Sequence, residues 1–211
     1  MFGLGAVWKH FRVMRGYILV SALLFAAGIA FGATPAVSAA LESFLAQQVQ
    51  GLSEIQKMLA EQENTQLATF IFIFLNNSIK AVLVIYLGAV LGIAPVLFLV
   101  VNGLLVGFVV QISAAQYSSV WELIVKGLLP HGILEIPAII IACAYGMRFG
   151  ILLIQSIGWS LTPKRAEIGD SLGEFMMRSL AVSVWIVVAL FVAAVIESTF
   201  TMWLMQTVKA S

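Results

Sequence analysis

Five long apolar runs, each nearly free of charge, constrain the fold of this chain more than any other feature. They lie at about residues 16–40, 67–90, 92–114, 130–157 and 178–204. At about 1.5 Å of helical rise per residue, a run of about 20 residues crosses the roughly 30 Å of hydrocarbon in a bilayer. The sequence therefore predicts an all-α, polytopic transmembrane helical bundle with five spans.

Composition supports the same class of protein. Hydrophobic residues make up 62% of the 211 positions and charged residues only 10%, against about 25% charged in an ordinary soluble domain. We expect a single integral membrane domain over residues 1–211, in contact with the lipid bilayer and without a nucleic-acid partner. The single cysteine, Cys143, excludes an intramolecular disulfide and a thiolate metal cluster, and is interpreted as a packing residue.

Loop charges predict the orientation in the cell membrane. Residues 1–15 carry three basic residues and no acid, whereas residues 41–66 carry four glutamates and one lysine. Since positive charge accumulates in cytoplasmic loops, the N-terminus is expected inside and the C-terminus outside. Residues 158–177, with Lys164 and Arg165, then form a cytoplasmic loop.

Three connecting segments invite further predictions. The letters "VSA" at 37–39 fit a signal-peptidase site, but the apolar run before them exceeds the usual signal core of about 7–15 residues, which favours an uncleaved anchor. Residues 41–66 have the spacing of an amphipathic helix in an outer loop, with a solvated hairpin as the alternative. Residues 118–130 begin with a capping-box spacing and predict a short interfacial or re-entrant helix before the fourth span.

Glycines recur four residues apart in four of the five spans. Such pairs let helix backbones approach closely in lipid, and they predict a tightly packed bundle, with homodimerisation as the sharper alternative. The pairs are Gly28 and Gly32, Gly88 and Gly92, Gly103 and Gly107, and Gly146 and Gly150.

Polar residues inside the spans fall at similar depths. An isolated charge in the bilayer costs at least about 2.5–3.5 kcal/mol, so these side chains are expected to face the bundle interior and one another. Lys80 could pair there with Glu135 or Glu197. The sequence thus predicts a polar centre in the outer half of the bundle, formed by His131, Glu135, Glu197, Asn76, Asn77, Asn102 and Lys80.

His131 and Glu135 lie one helical turn apart, with Gly132 between them and Pro137 kinking the helix just beyond. The pair admits three interpretations: structural bracing, a substrate or proton pathway, and a metal or hydrolytic centre. A metal would need Glu197 as its third ligand. We therefore expect bracing, with no catalytic residue, no bound metal and no cofactor.

The same residues carry a resemblance. "LPHGILEIPAIIIACAYG" at 129–146 is the specific block, and the region resembles the stage II sporulation protein M family. The other matching positions are "NN" at 76–77, "LG" at 87–88, "NG" at 102–103 with Gly107, and "IES" at 196–198. The resemblance implies an integral membrane protein without an established catalytic activity. It also implies links to envelope partners, because the namesake in spore-forming bacteria works with peptidoglycan-degrading proteins.

Three functions are compatible with these observations. First is a scaffold that recruits membrane or envelope proteins through residues 41–66 or 158–177. Second is a permease-like subunit that uses the buried polar residues as a pathway and needs a partner ATPase, because no phosphate-binding loop motif is present. Third is an intramembrane hydrolase, which lacks the H-E-x-x-H pattern and a nucleophile in a convincing setting. The sequence favours the scaffold and predicts that the protein is not an enzyme.

Overall fold

A computed structural model describes residues 4–42, 54, 58–116, 121, 124–159, 165–201 and 203–204. These residues are helical almost throughout, with no strand among them. The long helices are α1 (Leu4–Gly32), α2 (Thr65–Leu87), α3 (Ile93–Gln116), α4 (Leu129–Trp159) and α5 (Arg165–Ile196). The all-α prediction is confirmed.

Each long helix forms all or most of a segment that is apolar and long enough to cross a bilayer. These segments are Arg12–Gly32, Thr65–Leu87, Ile93–Ala114, Ile124–Ile157 and Ser171–Thr201. Many large apolar side chains on the outside of the bundle are exposed, as expected where lipid is the surrounding solvent. The protein is therefore a multi-pass membrane protein with five spans, as the sequence predicts.

The first span ends eight residues before the predicted boundary at residue 40. α1 stops at Gly32, and the chain turns at residues 33–34 before residues 35–42 become helical again. Pro35 explains the break, because it has no N–H to continue the ladder and disfavours helical geometry at Thr34. The Thr34 hydroxyl donates to the Phe31 carbonyl at 2.7 Å, and the buried Ser38 hydroxyl donates to the Gly32 carbonyl at 2.8 Å.

Two predicted connections are partly described. Before the fourth span, residue 121 is helical and Ile124–Leu128 forms a turn of π-helix that leads directly into α4. Residues 165–177 of the predicted cytoplasmic loop belong to α5, which extends beyond its apolar segment. Most of the predicted amphipathic helix at 41–66 and the capping residue Ser119 lie outside the described residues.

The glycine pairs meet one another inside the bundle. α1 runs parallel to α3, and a Cβ added at Gly28 would lie only 2.8 Å from the Val100 carbonyl oxygen and 3.0 Å from the Cα of Gly103. Added methyl groups at Gly32 and Gly107 would likewise overlap the facing backbone. The small residues therefore bring these two backbones into direct contact.

The other two pairs join α2 to α4, which are also parallel. A Cβ at Gly146 would lie 2.6 Å from the Val84 carbonyl oxygen, and one at Gly150 would lie 2.6 Å from the Gly88 carbonyl oxygen. Gly92, in the turn between α2 and α3, has φ +73°, which glycine adopts without strain. All four pairs are thus engaged within one chain, and homodimerisation stays a prediction.

Candidate functional site

A polar pocket lies between the helices, in the half of the bundle remote from the N-terminus of α1. Its volume is about 340 Å³. It is lined from α1 by Phe25, from α2 by Asn76 and Asn77, from α3 by Asn102, and from the C-terminal half of the chain by His131, Glu135 and Glu197, with apolar side chains between them. Six of the seven residues predicted to form a polar centre therefore surround one cavity.

His131, Glu135 and Glu197 form the charged part of this pocket. One ligand atom from each, a ring nitrogen and two carboxylate oxygens, lies within 4.8 Å of the others. All three side chains are half-buried. The helical spacing of His131 and Glu135 places both on one face of α4, and Glu197 reaches them from the end of the antiparallel α5.

Hydrogen bonds connect this group to neighbouring helices. The Asn77 side-chain amide donates to a carboxylate oxygen of Glu135 at 2.9 Å, and Asn76 donates to the Asn77 side-chain oxygen at 3.3 Å. The Thr201 hydroxyl lies 3.5 Å from Nδ1 of His131. α4 is therefore joined to α2 on one side and to the end of α5 on the other.

The contact of Thr201 with His131 is not predicted by the sequence. A hydroxyl in an apolar run gives little signal by itself, because it can bond to its own helix. Its position four residues after Glu197 was the available clue, since residues so spaced share a helix face. Glu197–Thr201 forms a turn of π-helix, a conformation often found at functional sites.

Lys80 and Gly132 do not have the predicted roles. Lys80 is exposed on the outside of α2 and does not line the pocket, and among the described residues it makes no ion pair with Glu135 or Glu197. A long lysine side chain can follow the bundle surface toward the headgroups instead. An added Cβ at Gly132 would meet only ordinary contacts, at 3.6 Å from Ile136 and 3.9 Å from Leu128, so Gly132 keeps space in the pocket rather than letting a helix approach.

Asn102 and Pro137 occupy the edges of the site. The Asn102 amide donates to the carbonyl of Phe98, one turn earlier in α3, at 2.7 Å, while its side chain lines the pocket. Pro137 lies within α4 and is exposed. Since proline cannot donate to Ile133, that carbonyl loses its helical partner just beyond the pocket.

The sequence model of the family described as "Stage II sporulation protein M" matches residues 21–202, which is most of the chain. The chain belongs to the stage II sporulation protein M family. The match includes every polar residue that lines the pocket. No curated protein and no solved structure shows significant similarity to this family member. The resemblance found in the sequence is confirmed, and the match by itself assigns no chemistry to the pocket.

Proposed function

We propose that the protein is a non-enzymatic membrane subunit that binds a small cation in the polar pocket, as a permease-like part of a transporter. The observation that supports this proposal is the grouping of His131, Glu135 and Glu197 within 4.8 Å beside a cavity of about 340 Å³. The pocket combines carboxylate oxygens with room for a ligand.

The electrostatics of the two carboxylates favour a cation. Like charges at short range repel strongly where the dielectric constant is low, and lipid offers little water to screen them. Asn77 donates one hydrogen bond to Glu135. Across the described residues, the Glu197 carboxylate accepts no hydrogen bond. A bound cation would offset the repulsion and use the acceptor lone pairs that remain.

A purely structural role explains less of the geometry. Side chains that only brace a bundle fill the space between helices and satisfy one another, because voids and unsatisfied polar groups both destabilise a fold. The pocket has both an opening between helices and a carboxylate, that of Glu197, which accepts no hydrogen bond from the described residues. This arrangement moves the permease-like interpretation ahead of the scaffold that the sequence favours.

The donor set indicates which cations to examine first. One imidazole nitrogen with two carboxylate oxygens suits a divalent first-row metal such as Zn²⁺ or Mn²⁺. Metal–ligand distances of about 2.0–2.2 Å place ligand atoms about 3.0–3.6 Å apart around the ion, so the three atoms, which lie within 4.8 Å of one another, must move closer on binding. No catalysis is proposed, since the H-E-x-x-H pattern and a nucleophile in a convincing setting are both absent from the sequence.

A scaffold for cell-envelope partners is the second candidate. The family resemblance favours it, and so do the contacts of Asn77 with Glu135 and of Thr201 with His131, which tie α4 to its neighbours. Partner proteins would then bind residues 41–66 or 158–177, and the pocket would only fix the helix arrangement.

Glu197→Gln separates the two candidates through the sign of its effect on thermal unfolding in detergent. In a metal-free cation site, removing one of two repelling charges raises the melting temperature, by about 2–4 °C for each kcal/mol of repulsion relieved. In a brace, Glu197 would pair with a protonated His131, whose ring nitrogen lies within 4.8 Å, so the same substitution removes an attraction and lowers the melting temperature. Glu61→Gln, at an exposed position before α2, is the matched control and should have no effect.

Copurification tests which proteins assemble with this membrane protein. Tagged protein extracted from native membranes in mild detergent should retain a stoichiometric partner in either case. A bound ATPase supports the permease-like subunit, whereas peptidoglycan-active or other envelope proteins support the scaffold. Recovery of the chain alone, under conditions that preserve other membrane complexes, would contradict both.

A further inference from the structure

A second polar pocket lies at the opposite end of the bundle, where α1, α4 and α5 meet. Its volume is about 240 Å³. It is lined by Val13, Met14, Arg148, Leu152, Ser171, Glu174, Phe175 and Arg178. The pocket at the other end has two carboxylates, whereas this one has two guanidinium groups.

One guanidinium group of this pocket, that of Arg148, has no carboxylate partner among the described residues. Arg178 forms an ion pair with Glu174, one turn earlier in α5. Arg148 is held by a neutral group, since it donates to the Tyr17 hydroxyl at 3.1 Å and its guanidinium carbon lies 5.5 Å from the centroid of that ring. The positive charge of Arg148 is therefore not neutralised by any carboxylate whose side chain the structure describes.

The guanidinium group of Arg148 is also held in position. A bond to a phenol and a position over its ring orient the group without neutralising it. Among the described residues, Arg148 makes no ion pair. Its remaining N–H donors are therefore suited to an anion that arrives from outside the chain.

The pocket lies where the apolar segments end. Arg12 and Ser171 are the first residues of the apolar segments of α1 and α5, and Ile157 is the last of that of α4. A ligand at this depth meets the headgroups on one side and the acyl chains on the other.

The walls of the pocket are apolar. Met14, Leu152 and Phe175 are buried, and the Phe175 ring packs against Tyr145 and Phe149 of α4 with centroid distances of 5.8 and 6.0 Å. Val13 is 66% exposed beside them. A rigid apolar wall next to uncompensated positive charge matches an amphipathic anion better than a fully hydrated one.

We propose that this pocket binds the phosphate-bearing headgroup of an anionic phospholipid, with Arg148 and Arg178 donating to the phosphate oxygens and an acyl chain lying over Val13. Guanidinium groups bind phosphate through paired N–H donors, and basic pockets between transmembrane helices are suited to such headgroups. This site is independent of the cation pocket and of the function proposed for it.

Lipid addition to the purified full-length protein tests the proposal. Phosphatidylglycerol should raise the melting temperature in detergent by about 2–4 °C or more, whereas phosphatidylcholine should not. Glycerol phosphate at the same concentration distinguishes binding of a lipid headgroup from binding of a soluble phosphate ester. Equal protection by glycerol phosphate would show a soluble anion site and overturn the lipid assignment, and equal protection by the two lipids would overturn the role of charge.

Substitutions of single arginines test whether the lipid binds in this pocket. Arg148→Gln should weaken retention of phosphatidylglycerol in native mass spectrometry by about tenfold or more, because it removes a charge-assisted contact. Arg178→Gln, which leaves the contact of Arg148 with Tyr17 intact, should also weaken retention of phosphatidylglycerol. Arg12→Gln is the matched control, an exposed arginine at the same end of α1 that does not line the pocket. A loss on Arg12→Gln as large as on the other two would mean that surface charge alone attracts the lipid, and the site would be rejected.

Discussion

The side-chain amide of Asn77 on α2 donates a 2.9 Å hydrogen bond to the carboxylate of Glu135 on α4, across 58 positions of sequence. This bond distinguishes the two glutamates of the pocket. Glu135 is held by a neighbouring helix, whereas the Glu197 carboxylate accepts no hydrogen bond from the residues that the structure describes. The two should therefore respond differently to substitution.

Glu135→Leu should be less stable than Glu135→Gln, although both variants remove the charge that Glu197 repels. Leucine removes the acceptor and leaves the Asn77 amide buried without its partner, at a cost of about 1–3 kcal/mol in the free energy of unfolding. Glutamine keeps a carbonyl oxygen in reach of Asn77. Thermal or denaturant unfolding in detergent measures the difference, and equal losses for the two variants would show that this hydrogen bond is unimportant.

A double-mutant cycle tests whether the pocket residues act together. Substitutions at Glu135 and His131, or at Glu135 and Glu197, should be non-additive in the free energy of unfolding, because these side chains lie within 4.8 Å of one another. Glu61 with Glu135 should be additive within about 0.3–0.5 kcal/mol, since Glu61 is exposed before α2 and does not line the pocket. Strict additivity for the first two pairs would disprove the cluster.

Gly146→Ala should destabilise the bundle by about 1–3 kcal/mol, the usual range for overpacking. The added methyl group would lie 2.6 Å from the Val84 carbonyl oxygen, and backbone cannot move aside as a side chain can. Gly16→Ala is the matched control, because nothing lies within 4 Å of its added Cβ and alanine favours a helix by about 0.5–1 kcal/mol. The two variants should change the melting temperature in opposite directions.

Topology remains a prediction from loop charge. The positive-inside rule places the N-terminal end of α1 in the cytoplasm, and five spans then place residues beyond α5 outside. A cysteine introduced at Glu61 should react with a membrane-impermeant maleimide in intact cells, after Cys143 is replaced by alanine. One introduced at Arg15 should react only after permeabilisation, and the reverse pattern would invert the orientation.

Hydropathy and residue spacing predicted most of the architecture. Apolar runs gave the five spans because lipid requires long helices, and the glycine spacing gave the close contacts that the structure places between α1 and α3 and between α2 and α4. The end of the first span was misplaced because hydropathy continues through Pro35, whereas the backbone ladder does not. The capping signal before the fourth span predicted a short helix there, and Ile124–Leu128 forms a helical turn that leads into α4.

The sequence predicted how deep the polar residues lie in the membrane, but not which way each side chain faces. Counting along the spans predicted that His131, Glu135, Glu197 and the asparagines lie at a similar membrane depth. The structure places them around one cavity. Depth alone could not tell that Lys80 lies on the outside of α2. The cavity itself could not be predicted, because its volume depends on how five helices pack rather than on any one sequence pattern.

Cation binding is the most direct test of the proposed function. Metal-free protein in detergent should be titrated with Zn²⁺ and Mn²⁺ by calorimetry, beside Glu197→Gln, His131→Ala and the control Glu61→Gln. We expect one ion per chain for the wild type and the control, with affinity reduced by tenfold or more in both pocket variants. Absence of binding of either ion to the wild type, or unchanged affinity in both pocket variants, would contradict a divalent-cation site formed by His131, Glu135 and Glu197.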